Sequence, residues 1–301
     1  MREEWRAVDH AEVERTVAGF SRKTGILVQT LTRSLLGREI PLIVLGEGEK
    51  SVLYVGAHHG MESVTAGVLL DFIGEYLAAR VKNLTLFGTP TRYLFTRRRI
   101  LIVPMLNPDG VEYAVHGVRW DNPLYARLLE MNGAAGADFS RWQANARGVD
   151  LNHNYDAGFF AYKEKERAAG ILNGAPTRYS GEYPESEPET AALCRLLRGE
   201  GENLAGVLTL HTQGEEIYCG GSAPAKIAAT GRALARRTGY RLALPEGPAA
   251  FGGLTDWCVG TLGKPSYTIE CGRGENPLPP AVRPRVYARL RRALFEFPLL
   301  V

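Results

Sequence analysis

Residues 51–77 read SVLYVGAHHGMESVTAGVLLDFIGEYL, and the order of patterns within them decides the fold class. Ser51 to Ala57 is short and almost wholly apolar, the composition of a strand buried on both faces. From Ser63 to Leu77 the apolar residues recur at helical spacing, so the stretch predicts a strand–loop–helix unit whose loop is centred on His58-His59-Gly60. Ile100–Met105 repeats the buried-strand pattern and runs into Asn107-Pro108-Asp109-Gly110, a strong turn signal. Further strands are predicted at Gly206–Leu210 and Ser266–Glu270. Helices are predicted near Glu187–Leu197, Ala223–Thr238, Leu254–Leu262 and Pro280–Phe295. The first of these opens on Ser186-Glu187-Pro188-Glu189, with proline in its first turn. Residues 1–50 add a helix over Asp9–Arg22 and a strand pair, Ile26–Thr32 and Ile40–Leu45, turned around Gly37-Arg38.

Buried strands alternating with helices predict an α/β fold. We expect one domain over residues 1–301, residues 1–50 integrated into it, with a mixed, largely parallel twisted sheet and helices on both faces. Ligands of such sheets bind at the carboxyl ends of the strands. The stretch from Asp121 to Ser186 is rich in Gly, Asn, Arg and aromatics and has little periodicity, and loops of that length in a compact domain are usually functional.

Composition narrows the function classes. The 301 residues are 45% hydrophobic and 23% charged, ordinary for a soluble globular protein and unlike a disordered or fibrous one. The apolar run Ile100–Leu106 is only seven residues and contains Pro104, against about 20 for a membrane span. The net charge, 36 − 33 = +3, is too small to argue for nucleic acid, and Arg97-Arg98-Arg99 reads as a solvated strand edge. Cys194, Cys219, Cys258 and Cys271 show no CxxC spacing, which argues against a zinc knuckle or a disulfide scaffold and for reduced thiols. The opening Met-Arg-Glu-Glu-Trp-Arg has no apolar signal-peptide core, so a cytoplasmic location is expected. Nothing in the sequence sets an oligomeric state.

The chemistry gathers at predicted strand ends. His58, His59, His153 and His211 lie there or in the irregular stretch, while His10 and His116 read as surface residues. His59-Gly60-Met61-Glu62 places a His and a Glu three apart where a strand turns into a helix, and His211 follows the strand Gly206–Leu210. Alone, an HxxE is a common chance pattern. Two His and one Glu, however, complete the protein ligands of a catalytic zinc and leave a position for water. Glu270 ends the strand Ser266–Ile269, and a carboxylate there is placed to act as general base for amide hydrolysis. Asp150, in Gly148-Val149-Asp150-Leu151-Asn152, is a candidate to accept the other ring N–H of a liganding histidine.

Taken together, His59-x-x-Glu62, Asn107-Pro108-Asp109-Gly110, residues 148–154 (GVDLNHN), residues 186–190 (SEPET), His211 and Thr268-Ile269-Glu270 resemble the zinc carboxypeptidase family, in the family's order and across roughly residues 50–275. The resemblance implies that His59, Glu62 and His211 hold one Zn²⁺. It also implies that Glu270 activates the water and passes the proton to the leaving amine, and that Asp150 orients His59. His58 reads as structural.

Three departures qualify the substrate. The family's asparagine–arginine pair, whose arginine clamps a C-terminal carboxylate, is here Asn152-His153, and imidazole cannot form the two-pronged fork of guanidinium. Gln143 is the closest match to the arginine that polarises the scissile carbonyl, with Arg141 and Arg147 as flanking candidates for the missing charge. The tyrosine that closes over substrate is absent ahead of Gly252-Gly253, where the residues are Pro248-Ala249-Ala250-Phe251.

With Ala144-Asn145-Ala146-Arg147 leading into GVDLN, these departures resemble a bacterial branch, the γ-D-glutamyl-L-diamino acid peptidases acting on cell-wall peptides. Thr255 falls where family members line the specificity pocket, and Arg273 is the expected replacement anchor for a substrate carboxylate. The implied activity is zinc-dependent hydrolysis of an amide in muropeptides. A conventional carboxypeptidase, a small-molecule deacylase resembling succinylglutamate desuccinylase and aspartoacylase, and a catalytically silent binding module remain as alternatives. The full set of ligands, base and Asp150 weighs against the last, since a binding module has no physical need of it.

Overall fold

The computed structural model describes residues 6–220, 223–244 and 251–301. The opening residues Met1 to Trp5 and the segment containing Pro248, Ala249 and Ala250 lie outside the described residues. Eight strands form one sheet: β1 (Leu27–Arg33), β2 (Glu39–Leu45), β3 (Lys50–Val55), β4 (Arg98–Val103), β5 (Leu204–His211), β6 (Glu216–Tyr218), β7 (Arg241–Leu242) and β8 (Ser266–Glu270). Their spatial order is β1-β2-β4-β3-β5-β8-β6-β7. β4, β3, β5 and β8 are mutually parallel, and β1, β2 and β6 add antiparallel pairings on the two sides. The sheet is therefore mixed with a parallel centre, as the buried apolar strands predicted. β6 and β7 have no apolar run to announce them and were not anticipated.

The two-residue period of a strand distributes the core. From β3, Val52 and Tyr54 face one side with Phe72, Tyr76, Leu290, Leu294 and Phe297. Leu53 and Val55 face the other with Leu193, Leu197, Leu254 and Trp257. Helix Ser63–Val81 is buried nearly all round because helix Arg283–Leu300 packs over it. That explains why its sequence lacks a polar stripe.

Several local expectations change. Asn107-Pro108-Asp109-Gly110 is a helix start, not a turn: Asn107 caps helix Pro108–His116 by accepting from Gly110 N at 2.9 Å, with Pro108 in the first turn. The irregular stretch contains two helices, Tyr125–Asn132 and Phe159–Ala168. The arginine run is no sheet edge, since Arg98 and Arg99 begin an interior strand. There Arg99 pairs with Glu200 and Arg98 donates to the carbonyl of Pro298. His10 is buried and its Nε2 lies 2.7 Å from the carbonyl oxygen of Glu39, whereas His116 reaches Asp9 at the surface. Cys194, Cys219, Cys258 and Cys271 are buried and unpaired. Among the described residues no helix is long and apolar enough to cross a membrane.

Candidate active site

Three parallel strands deliver the site. β3 leads through Gly56 and Ala57 to His58 and His59, β5 ends on His211, and β8 ends on Glu270, which lies in register with His211. After His59 the chain makes a single tight turn, Gly60–Glu62, before helix Ser63–Val81 begins. Gly60 is required there, because a Cβ at that position would sit 2.3 Å from the carbonyl oxygen of Gly110 and 2.7 Å from that of Trp142. The turn is pinned from the other side by Asn107, whose amide donates to the carbonyls of His58, Gln143 and Ala144.

This turn brings His59, Glu62 and His211 together, their ligand atoms all within 4.8 Å of one another. His59 Nδ1 lies 2.9 Å from Glu62 Oε1 and 3.3 Å from His211 Nδ1, and His211 Nδ1 lies 3.2 Å from Glu62 Oε2. Tetrahedral ligands at zinc's usual bond lengths sit about 3.3–3.4 Å apart, so the cluster has the spacing of one zinc site. Glu62 is 2% exposed and, among the described residues, its Oε2 lacks a well-directed hydrogen-bond donor, a deficit that a bound cation removes. On the far side of His59, Nε2 reaches Asp150 Oδ1 at 3.2 Å, the carboxylate–histidine arrangement that fixes a ligand's tautomer. Asp150 also accepts from the backbone N–H groups of Asn152 and Arg178.

The charges follow from these contacts. Burial opposes the positive form of His59, but Glu62 and Asp150 outweigh it and hold its pKa well above the usual value. Burial likewise works against the carboxylates of Glu62 and Asp150. His59 and His211 overcome it at Glu62, and His59 with the backbone N–H of Arg178 overcomes it at Asp150, so both acids stay ionised. Glu270 goes the other way: burial, then the neighbouring Glu62, push its pKa up. His58 is driven neutral by burial and by His211 and His59, and sits between Tyr155 OH at 3.0 Å and Thr209 Oγ1 at 3.3 Å.

A cleft of about 650 Å³ opens over this cluster, lined by His59, Asp150, Asn152, His153, Gln143, His211 and Glu270 among others. Gln143 Oε1 accepts from the hydroxyl of Thr177, which orients the amide, and among the described residues no acceptor takes its NH₂. Asn152 Oδ1 accepts from Leu254 N at 3.2 Å, and among the described residues its NH₂ has no acceptor. His153 is 9% exposed and stacks on Tyr162 with ring centres 4.2 Å apart. Its Nδ1 faces the carbonyl oxygen of Phe251 at 2.8 Å. A carbonyl only accepts, so Nδ1 carries the hydrogen, and in the neutral ring Nε2 is an acceptor. Burial lowers the His153 pKa and favours that neutral ring.

Three expected substrate residues are placed elsewhere. Arg147 turns away to Glu187, with Nε 3.7 Å from Oε2, and lines a separate hollow with Leu35, Leu124 and Glu182. Arg273 pairs with Glu215 at 2.9 Å and lines a small cavity with Tyr240 and Arg289, because β6 brings Glu215 alongside the end of β8. Thr255 is buried, its hydroxyl 2.8 Å from that of Thr268, and it is not among the residues lining the cleft. Arg141 does reach the cleft but is bonded to Glu275 at 2.6 Å. The cleft also draws on Thr177, Arg178 and Asn276, which sequence reasoning missed. The first two lie in the aperiodic stretch, where no spacing marks a functional side chain. Asn276 sits in the turn after β8, held to Thr212 by hydrogen bonds of 2.7 and 2.8 Å.

Comparison with known proteins gives the same frame. Residues 19–287 match the zinc carboxypeptidase family. Gamma-D-glutamyl-L-diamino acid endopeptidase 1 of Lysinibacillus sphaericus is 33% identical over 248 residues, covering 82% of this chain and 60% of that protein. The uncharacterized protein YqgT of Bacillus subtilis strain 168 is 33% identical over 252 residues, covering 82% of this chain and 65% of its own length. The chain thus spans less than two thirds of either relative. In three dimensions it is similar to carboxypeptidase A from Helicoverpa armigera, with a TM-score of 0.72 at 20% identity over 96% of this chain and 72% of that one. The chain belongs to the zinc carboxypeptidase family.

Proposed function

We propose that the chain hydrolyses the amide between a γ-linked D-glutamyl residue and a diamino acid in peptidoglycan peptides. The observation that carries this reading is the state of His153. Where the resemblance puts a carboxylate-clamping arginine, the chain holds a buried neutral imidazole that is stacked on Tyr162 and offers an acceptor. A substrate presenting one ordinary C-terminal carboxylate meets no cation at that point. The 33% identity with a protein named a gamma-D-glutamyl-L-diamino acid endopeptidase supports the same substrate class.

In this reading His59, Glu62 and His211 hold the zinc ion, and Asp150 accepts from His59 Nε2 so that Nδ1 stays turned toward the ion. Bound zinc supplies Lewis acidity toward water and the scissile carbonyl. Glu270 takes a proton from the attacking water and delivers it to the departing amine. The NH₂ of Gln143 is the donor to the carbonyl oxygen as negative charge develops there, a neutral substitute for an arginine.

The test is a paired assay on zinc-loaded protein of measured metal content. One substrate is a γ-D-glutamyl-meso-diaminopimelate peptide, and the other a blocked dipeptide with a free C-terminal carboxylate. Cleavage of the first alone is the expected result, abolished by chelator and restored by zinc. Cleavage of the second alone returns the protein to the ordinary carboxypeptidases. Stoichiometric zinc with neither peptide cut overturns the proposal and favours a small-molecule deacylase.

A further inference from the structure

Two arginines are among the residues that line the cleft, Arg141 and Arg178. Arg141 is occupied by Glu275. Among the described residues, no carboxylate lies within 4.0 Å of the Arg178 guanidinium, so a substrate anion there displaces no internal partner. The backbone at this position is fixed from both directions: Arg178 N donates to Asp150 Oδ2 at 3.0 Å, and its carbonyl accepts from Tyr162 OH at 2.9 Å. Its φ is +67°, a left-handed conformation that a side chain bearing a Cβ rarely adopts. Strain of that kind persists where the surroundings over-determine it, and it clusters where ligands are held. The two partners tie the arginine to both functional walls. Asp150 is the residue that reaches His59, and Tyr162 is the ring on which His153 stacks.

We propose that Arg178 binds a carboxylate of the peptide substrate through its two-pronged guanidinium, supplying from a different loop the cation that position 153 lacks. This inference rests on the peptidase reading above. A γ-glutamyl-diamino acid peptide offers two sources of the same chemistry: the α-carboxylate of the glutamyl residue and the α-carboxylate of the diamino acid. Arg178 accepts either by the same fork, since a guanidinium recognises the carboxylate plane and not what carries it.

The experiment uses zinc-loaded wild type, Arg178→Gln and Arg178→Lys. Each is assayed on a γ-D-glutamyl-diaminopimelate peptide whose third carboxylate, on the diaminopimelate carbon remote from the scissile amide, is already a carboxamide, and on two analogues in which one or the other of those two α-carboxylates is converted as well. Both substitutions keep a Cβ, so the backbone strain is the same throughout, and zinc content is measured in each protein. In wild type, one of the two amides should lower kcat/KM by about 10- to 100-fold, chiefly through KM. The identity of that amide names the carboxylate. Arg178→Gln should lose a similar factor on the acid and lose nothing more when that carboxylate is amidated, while Arg178→Lys recovers part of the loss. Persistence of the full acid-over-amide preference in Arg178→Gln overturns the proposal, as does equal turnover of all three peptides by wild type.

If wild type cleaves none of the peptides, the peptidase reading fails by itself, and calorimetric titration of the same peptides still decides the arginine. An acid-over-amide affinity difference that is present in wild type and absent from Arg178→Gln sustains it. Equal affinities in wild type, including no binding at all, sink it.

Discussion

Glu62 and Glu270 face the same histidines under opposite loads. Glu62 is held ionised by His59 and His211 in spite of burial, whereas burial and the charge on Glu62 push Glu270 toward its protonated form. The ionised Glu62 suits a cation ligand, while Glu270 must be ionised to take a proton from water, a form that the positive charge of a bound cation beside it would favour. On the proposed mechanism, Glu270→Gln should keep stoichiometric zinc and lose at least about 10²-fold in kcat. Steady-state turnover measured beside metal content checks this, and near-normal turnover would assign water activation to another group. Asp150 acts one bond further out. Asp150→Asn preserves size and an acceptor oxygen while removing the charge that faces His59 Nε2, so zinc affinity should fall by roughly 10- to 100-fold. Metal retention during competition with a chelator reads this directly, and an unchanged affinity would remove Asp150 from the ligand's support.

At the scale of elements, Asn154 explains why two distant sequence motifs occur together. Its NH₂ donates to the carbonyls of Ser180 and Tyr183 and to Ser186 Oγ, and its oxygen accepts from Glu187 N and Thr190 Oγ1. One buried amide therefore joins residues 148–154 to the start of helix Pro188–Glu200. Asn145 makes a parallel link, accepting from Arg147 N and Val149 N while donating to Glu187. Asn154→Ala strands several buried donors and acceptors at once and should destabilise the fold by about 3 kcal/mol or more. The urea unfolding midpoint measures it, and a loss below about 1 kcal/mol would mean that water replaces the amide.

The same links show what the sequence could and could not disclose. His59, Glu62, His211 and Glu270 were legible because buried apolar strands end at them, and parallel strands converge at their carboxyl ends. Arg147, Arg273 and Thr255 were misplaced because a side chain's direction depends on partners from remote segments: Glu187 for Arg147, Glu215 for Arg273, Thr268 for Thr255. Arg178 was invisible for a related reason. Its position is set by hydrogen bonds to Asp150 and Tyr162, not by any periodicity of its own.

Across the whole molecule, an internal acid cluster couples stability to pH away from the catalytic groups. Asp109, Glu187 and Glu189 are each at most 1% exposed. Asp109 is compensated by Arg38 at 2.6 Å with Ser34 and Leu36 N, and Glu187 by Asn145 and Ser186. Among the described residues, neither oxygen of Glu189 has a well-directed donor. Burial, then Glu187 and Asp109, push the Glu189 pKa from 4.5 up to about 8. Below pH 4.5 the group is protonated in folded and unfolded chains alike. Between pH 4.5 and 8 the unfolded chain releases the proton and the folded one retains it. The folded state then binds more protons, and stability must fall as pH rises. The loss from this group reaches about 3 kcal/mol by pH 7 and levels off near 5 kcal/mol above pH 8. Glu189→Gln cannot ionise, so its stability relative to wild type should climb by that amount between pH 5 and pH 8.5. Urea unfolding of both proteins at pH 5, 7 and 8.5 measures the gap. If the two curves run parallel, the carboxyl is ionised in the folded protein and the three acids are compensated by contacts other than those described.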